Sequence, residues 1–285
     1  MQVTILGASG FIGLRLSAAL RARGDAVVES SLRDPVRAAE ASAGSDVVVN
    51  LAGAPVAVRW TDAAKRGMTT SRVDLPHAYL DALARVENRP GAYVSGSAVG
   101  YYGFRQTDVP FDEASPPGDD FLARLCVAWE AEADRASTLG MRVAKIRTGL
   151  VLGREGGVLA KLLPLFRLGL GGVIASGDQW NSWIHIDDEV GILLHAIDGA
   201  SGVLNATAPV PVTNRDFTHA LGRAVHRPTV FLVPAFAAAL MLGEGATVLT
   251  GGQRVVPRRT METGYAFRHP ALDEALSSLL RADRP

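Results

Sequence analysis

One glycine-rich stretch, VTILGASGFIGLRLSAAL at residues 3–20, constrains the fold of this 285-residue chain more than any other feature. Gly7, Gly10 and Gly13 stand between an apolar run that predicts a β-strand and a periodic pattern that predicts a helix. In that setting the first glycine permits a tight turn, the second lets the backbone approach a pyrophosphate, and the third lets helix and strand pack closely. The stretch therefore predicts a dinucleotide-binding loop, with the free amides of the helix facing the phosphates.

Short apolar runs alternate with helical patterns through the first half of the chain, which is typical of parallel strands joined by crossover helices. The predicted strands are residues 3–6, 26–30, 47–51, 92–95 and 143–146, and helical patterns include residues 11–23 and 77–85. The strands are apolar throughout rather than alternating, so both faces of the sheet are expected to be covered. We predict an α/β fold with a Rossmann-type, doubly wound parallel sheet.

After residue 153 the composition changes to a glycine-rich, loop-like texture, and short strands, short helices and scattered prolines follow. We predict an NAD(P)-binding domain of residues 1–153, to which residues 184–204 return. Residues 154–183 and 205–285 are predicted to form a smaller C-terminal α/β domain on the substrate side.

The end of the second predicted strand decides between the two nicotinamide dinucleotides. An acidic side chain there suits the ribose hydroxyls of NAD, whereas an arginine suits the 2′-phosphate of NADP. This chain offers Ser30, Ser31 and Arg33 at that point. NADP(H) is therefore the predicted cofactor and NAD(H) the second choice.

Small residues after the third strand, in NLAG, leave room for the nicotinamide-side ribose against the backbone. The predicted cofactor contacts there are Leu51, Ala52 and Gly53. The set is completed by Ser9, Phe11, Ile12, Arg72, Ser95 and Thr148.

Charge and composition exclude several classes of partner. The 29 basic and 29 acidic side chains cancel, so neither a nucleic acid nor an anionic membrane is expected as a partner. The single cysteine, Cys126, excludes an internal disulfide and fits a reducing compartment. The N-terminus lacks the basic region of a secretory signal, and the most apolar stretch, residues 229–245, predicts a buried strand and helix rather than a membrane span. We expect a cytoplasmic protein that binds a small-molecule substrate.

Longer motifs carry a family resemblance. GASGFIG, NLAG, VSGSAVGYYG, KIRTGLVLG and WNSWIHIDDEV resemble the extended short-chain dehydrogenase/reductase family, of the NAD(P)-dependent epimerase/dehydratase type. RLCVAWE, PLFRLGLGG and GGQRVVPRR are similar to an uncharacterised SulA-like subgroup of epimerase family proteins with a C-terminal domain of unknown function. The resemblance runs from Met1 to about residue 280 and implies an NADP(H)-binding Rossmann-type domain above a substrate cleft. Homodimers are common in the family, so the resemblance implies a homodimer as well.

The catalytic pair that the resemblance implies, Tyr-x-x-x-Lys on one helix face, is absent from the sequence. The residues four positions before the three lysines are Thr61, Met141 and Gly157. The helix in question is predicted to start after Asp119 or Asp120, and Phe121 and Leu125 occupy the positions expected for the pair.

Ser97 matches the catalytic serine of the family, and Tyr101 follows it in the loop beyond the strand. We predict these two residues as the catalytic ones, with Arg105 close enough to favour the ionised phenol. A purely structural alternative remains open, in which Tyr101 and Tyr102 pack over the cofactor and Ser97 bonds to the backbone. The predicted substrate contacts are Tyr102, Arg167 and Trp183.

The segment SWIHIDDEV offers His185 and Asp187 in a spacing that strand alternation alone would place on one face. No further cluster of ligands accompanies them in the sequence, so no metal site is predicted. Asp187 or Asp188 is expected to cap a helix that begins at Glu189.

Three functional hypotheses follow from these residues. The first is an NADP-dependent oxidoreductase or epimerase with a rearranged proton donor, and the second is an inactive dinucleotide-binding sensor or scaffold. The third is a reductase in which the substrate or water supplies the proton.

Overall fold

Parallel strands and crossover helices alternate through the N-terminal half of the computed structural model, which describes residues 1–105 and 107–280. The strands are β1 Gln2–Leu6, β2 Ala26–Ser30, β3 Val47–Asn50, β4 Ala92–Ala98, β5 Arg142–Thr148, β6 Leu150–Leu152, β7 Gly172–Ile174, β8 Trp180–Asn181, β9 Trp183–His185, β10 Gly202–Ala206, β11 Val212–Thr213 and β12 Phe231–Val233. The helices are α1 Phe11–Arg23, α2 Pro35–Ala41, α3 Asp62–Thr69, α4 Leu75–Leu83, α5 Phe121–Asp134, α6 Gly157–Arg167, α7 Ile186–Ile197, α8 Asn214–Ala224, α9 Ala235–Leu242, α10 Thr247–Thr250, α11 Arg258–Glu262 and α12 Leu272–Leu280.

The main sheet of the described residues has six parallel strands in the order β10-β5-β4-β3-β1-β2. This order confirms the predicted Rossmann-type, doubly wound α/β fold. Because the chain passes from β1 to β2 on one side and returns to β3 on the other, the crevice between β1 and β3 is the switch point where such sheets bind ligands.

Both faces of the sheet are buried, as the apolar strands predict. On one face Val3 and Ile5 pack in a core with Leu16 of α1 and Leu193 of α7. The opposite core contains Leu6 and Val48 of the sheet with side chains of α2 and α4. Because β1, β3 and β4 are parallel, their C-terminal ends lie at the same edge of the sheet. The site is at this edge.

A second core joins α6, β9, α8 and α12 around Leu159, Trp183, Phe217 and Leu276. Short paired strands, β6 with β9, β7 with β12 and β8 with β11, connect the parts of this region. The predicted boundary at residue 204 falls inside β10, and residues 281–285 of the predicted second domain lie outside the described residues. The division into two domains stays a prediction.

The apolar stretch at residues 229–245 forms a strand and a helix, β12 and α9, but it is not buried as predicted. Phe231 and Leu232 on β12 are 50% and 64% exposed, and Phe236, Leu240 and Met241 on α9 are 74%, 76% and 74% exposed. Among the described residues, no helix combines the length and the apolar character needed to cross a membrane.

The helix within SWIHIDDEV begins three residues earlier than expected, at Ile186 rather than Glu189. Its cap is His185, whose Nδ1 accepts a hydrogen bond from the Asp187 amide at 3.0 Å. The predicted aspartate cap is therefore wrong. Asp188 is fully buried and accepts hydrogen bonds from the backbone of Arg268 and His269 instead.

Candidate active site

The glycine loop is a backbone cradle at the switch point of the sheet. Gly7 has a φ of +91°, a conformation that side chains other than hydrogen rarely tolerate. A Cβ on Gly13 would lie 2.5 Å from the Gly7 carbonyl oxygen, so only glycine lets α1 approach the loop this closely. The α1 cap, Gly10, has no side chain to satisfy the first amides of the helix, which leaves them available for a bound anion.

The residues predicted after β3 meet the glycine loop across the crevice. The Leu51 amide donates to the Leu6 carbonyl, and a Cβ on Gly7 would lie 2.9 Å from the Ala52 amide nitrogen. Gly53 lies against the side chain of Arg72, because a Cβ there would be 2.8 Å from a guanidinium nitrogen. The structure thus brings together the glycine loop, residues 51–53 and Arg72, which are separate in the sequence.

The other predicted cofactor contacts lie at several separate places around the glycine loop and on β4. The Ser30 carbonyl accepts a hydrogen bond from the Gly7 amide, and the exposed Arg33 follows just beyond the end of β2. Ser9 is exposed beside the loop and Ile12 is half-buried in the first turn of α1. The Phe11 ring packs against the glycines of the loop before α6, namely Gly153 and Gly156, and Ser95 donates to the Gly96 carbonyl within β4.

Thr148, at the end of β5, has a partner that the sequence did not reveal. Its hydroxyl donates to Oε1 of Glu189 on α7 at 2.8 Å. Burial raises the pKa of the Glu189 carboxyl to about 8, so the side chain is mostly protonated at neutral pH. Its second oxygen has no hydrogen-bond partner among the residues that the structure describes.

Ser97 belongs to a buried ionic network. Its hydroxyl donates to Oε1 of Glu130 at 2.7 Å, and Glu130 accepts two further bonds from the Arg147 guanidinium at 2.7 and 2.9 Å. Both charged side chains are more than nine-tenths buried and neutralise each other. Neither Glu130 nor Arg147 is a sequence candidate, since no motif marks a pair on α5 and β5.

The cation beside Tyr101 is Arg147, not Arg105 as predicted. The centre of the Arg147 guanidinium lies 3.3 Å from the centroid of the Tyr101 ring. Arg105 instead donates to the Pro117 carbonyl and faces the Phe111 ring. The Tyr101 side chain is half-buried, and its hydroxyl bonds to no other described residue.

Tyr102 has a different environment from its neighbour. It is fully buried, accepts a hydrogen bond from Arg147 at 2.9 Å and donates to Asn205 at 2.7 Å. Burial raises the pKa of its phenol to about 12. These contacts give Tyr102 a structural role between β5 and β10.

The helix positions that face the end of β4 are one residue later than the sequence indicated. Leu122 and Cys126, rather than Phe121 and Leu125, contact Gly100, because a Cβ there would lie 3.4 Å from Leu122 Cβ and 3.8 Å from Cys126 Sγ. Phe121 turns toward Trp60, with their ring centroids 5.3 Å apart. Neither pair of positions, 121 and 125 or 122 and 126, holds a tyrosine and a lysine.

The two remaining predicted substrate contacts are Trp183 and Arg167. Trp183 is completely buried, and its indole donates to the Val210 carbonyl at 3.1 Å. Arg167 is exposed at the end of α6, where its carbonyl accepts a hydrogen bond from Arg227.

One cluster of potential metal ligands, absent from the predictions, is formed by His185, Asp187 and His269. The imidazole rings stack with centroids 3.7 Å apart, and burial lowers the pKa of His185 to about 4. Both nitrogens of His185 already have hydrogen-bond partners, the Asp187 amide and the Ser278 hydroxyl. His185 is therefore already satisfied by the helix cap and by α12.

Comparison with known proteins gives matches along nearly the whole chain. Residues 3–206 match the NAD dependent epimerase/dehydratase family, and residues 233–279 match a domain of unknown function, DUF1731. A chloroplastic homolog of epimerase family protein SDR39U1 from Arabidopsis thaliana is 41% identical over 310 residues, covering 99% of this chain and 87% of the plant protein.

Solved structures show the same similarity. The crystal structure of human epimerase family protein SDR39U1, isoform 2, with NADPH has a TM-score of 0.91 and 35% identity, covering 99% of each chain. The nucleoside-diphosphate sugar epimerase from Corynebacterium glutamicum has a TM-score of 0.81 and 32% identity, covering 98% of this chain and 58% of that one.

Proposed function

The chain belongs to the NAD dependent epimerase/dehydratase family, and we propose that it is an NADP(H)-binding oxidoreductase or epimerase with a non-standard proton donor. The family match confirms the resemblance drawn from the motifs, including the C-terminal domain of unknown function. One observation carries the catalytic part of the proposal. The Tyr101 hydroxyl bonds to no described residue, and its ring packs against the Arg147 guanidinium. Tyr101 follows the strand that carries Ser97.

The residues of the cleft fit a dinucleotide. The left-handed Gly7, the close approach at Gly13 and the uncapped start of α1 form a cradle that side chains would fill. The proposed cofactor contacts are Gly7, Ser9, Gly10, Phe11, Ile12, Gly13, Ser30, Arg33, Leu51, Ala52, Gly53, Arg72, Ser95 and Thr148. When bound there, NADP(H) would accept or supply the hydride of the reaction.

The preference for NADP(H) rests on Arg33 and on the hydroxyl of Ser30, at the end of β2 where a 2′-phosphate would be bound. The human relative was crystallised with NADPH, which supports the same choice for this chain. Arg33→Ala should weaken NADPH binding and leave NADH binding unchanged in calorimetry. Equal affinities of the wild-type protein for NADPH and NADH would contradict the assignment.

We assign the proton step to Tyr101 and its support to Ser97. Oη of Tyr101 would give a proton to the substrate oxygen or take one from it, and the Arg147 guanidinium, itself paired with Glu130, would hold the ring in place by stacking against its face. The Ser97 hydroxyl donates to Glu130, so its lone pairs remain able to accept a hydrogen bond from a substrate hydroxyl. Trp183 and Tyr102 are left out of this proposal because both are fully buried.

The test is a panel of aldehydes, ketones and nucleotide sugars, with turnover followed by the nicotinamide absorbance. Tyr101→Phe should lower kcat by about 100-fold or more, since general acid–base catalysis contributes at least that much. Ser97→Ala should lower it less, and Tyr265→Phe is the matched control because its phenol bonds to Asp188 instead. Activity that is unchanged in both variants would refute the assignment.

The absence of a proton donor and a cation at Leu122 and Cys126 favours a second candidate, a sensor or scaffold that binds the dinucleotide without catalysis. Tight NADPH binding with no turnover across the whole panel would favour this reading. A small-molecule substrate, a homodimer and a cytoplasmic location also remain parts of the proposal. Light scattering on the purified protein tests the homodimer.

A further inference from the structure

The helix position that should carry the family's lysine has no positive charge in this chain. Cys126 occupies the position beside Gly100, and burial raises the pKa of its thiol to about 12, so the side chain is neutral. Of the three lysines, Lys65 on α3 pairs with Glu244 at 2.6 Å, Lys145 on β5 pairs with Asp134 at 2.8 Å, and Lys161 is exposed on α6. The positive charge near a nicotinamide ribose must therefore come from another residue.

Arg72 brings a positive charge to this place from a different element. It lies in the π-helical turn Thr70–Asp74 between α3 and α4, and its guanidinium centre is 5.0 Å from the centroid of the Trp129 ring on α5. The same guanidinium packs against Gly53 at the end of β3. It is close enough to Cys126 for each group to influence the pKa of the other.

No anionic side chain of the described residues neutralises Arg72. Among the described residues, no carboxylate lies within 4.0 Å of its guanidinium, and its one polar contact is to the Ser71 hydroxyl at 3.4 Å. Burial accordingly lowers the pKa of Arg72. The indole nitrogen of Trp129, a residue that is 7% exposed, also lacks a partner in the described structure.

A partly buried cation without a counter-ion is costly, whereas the fully buried Arg147 is paired with Glu130. A ligand that brings its own negative charge to the cleft would remove the cost. The unpaired charge of Arg72 beside Gly53 points to a bound anionic group.

We propose that Arg72 holds the nicotinamide-side half of the dinucleotide, through its phosphate and ribose oxygens, and so replaces the missing lysine. In sheets of this order the adenosine half extends toward β2, so the other half runs toward β3 and β4, where Gly53 and Arg72 stand. This inference rests on the proposed function. It adds a role that the family's motif does not give to this position.

The test measures binding by calorimetry with two probes, NADPH and 2′,5′-ADP, which contains only the adenosine half. The variants are Arg72→Gln, Arg72→Met and Arg72→Lys, and the matched control is Arg66→Gln, an exposed arginine on α3. Ligand-free Arg72→Gln and Arg72→Met should both melt cooperatively, because they remove a partly buried charge that has no counter-ion among the described residues.

Arg72→Gln and Arg72→Met should weaken NADPH binding by about 10- to 100-fold, the value of a charge-assisted hydrogen bond. Both should bind 2′,5′-ADP like the wild type, and Arg72→Lys should retain most of the NADPH affinity. Unchanged NADPH affinity, or an equal loss for both probes, would overturn the role of Arg72. If the wild-type protein bound neither probe, the proposed function itself would fail instead.

Discussion

At the scale of single residues, the site contains buried charged groups that are stabilised in different ways. Arg147 and Glu130 neutralise each other through two hydrogen bonds, and Ser97 adds a third bond to the carboxylate. Among the described residues, the Glu189 carboxyl has the Thr148 hydroxyl as its single hydrogen-bond partner, so burial favours its neutral form. A carboxyl of this kind makes stability depend on pH.

The free energy of unfolding should fall less between pH 5 and pH 8 in Glu189→Gln than in the wild type. The pKa of Glu189 is raised to about 8 in the folded protein, while the unfolded chain ionises near the ordinary value, so folding retains a proton across this window. Stability therefore falls as pH rises, by up to about 1.4 kcal/mol per pH unit. Glutamine stays neutral and still accepts from Thr148. Urea unfolding at pH 5 and pH 8 measures this. The free energy of unfolding of the variant, relative to that of the wild type, should be higher at pH 8 than at pH 5.

Glu87→Gln is the control for this experiment, because Glu87 is exposed on the surface. It should give the same pH dependence as the wild type. Unfolding free energies of Glu189→Gln that run parallel to those of the wild type would mean that Glu189 is ionised in the folded protein.

The residues that could be predicted are those whose role depends on local chain geometry. Gly7 lies in the turn after β1 and Gly13 in the first turn of α1, so the strand and helix patterns around them are enough to recognise the cradle. Glu130 is 33 residues from Ser97 and 17 from Arg147, and no local pattern joins them. Contacts of that kind follow only from the packing of α5 against β4 and β5.

At the scale of elements, the type of each helix and strand was easier to predict than its exposure or its first residue. α7 begins at Ile186 because a histidine nitrogen serves as its cap, a role that is usually given to an oxygen. On α5, the side facing β4 differs by one residue from the prediction, because Phe121 packs on Trp60. α9 is apolar on every side, so its periodicity could not indicate which side is buried.

The exposed face of α9 should tolerate polar substitution. Phe236→Ser and Leu240→Ser should each change the unfolding free energy by less than about 0.5 kcal/mol, because both side chains are already in water. Ala238 is 5% exposed, so Ala238→Leu should cost about 1–3 kcal/mol by overpacking. Urea unfolding of the three variants measures the difference. A large loss for Phe236→Ser would show that another surface covers this face in solution.

At the scale of the whole molecule, buried polar side chains fasten the C-terminal segment to the main sheet. Glu113 accepts hydrogen bonds from the amides of Asn205 on β10 and of Arg259 on α11. The Asn205 side chain donates to the Val256 carbonyl and accepts from Tyr102, which bonds to Arg147. The proposed catalytic network is therefore continuous with the attachment of the C-terminal region.

The second attachment is Asp188, and its removal should loosen one segment rather than the whole protein. Its carboxylate accepts from the Tyr265 phenol at 2.9 Å and from the amides of Arg268 and His269 at 2.8 and 2.9 Å. Asp188→Ala leaves these donors unsatisfied and should cost about 2–4 kcal/mol. Hydrogen exchange should accelerate at residues 265–280 while the sheet strands stay protected, since segments open locally before global unfolding. Asp187→Ala, which removes a half-exposed neighbour, should alter exchange there little, and uniform acceleration across the sheet in Asp188→Ala would contradict a local attachment.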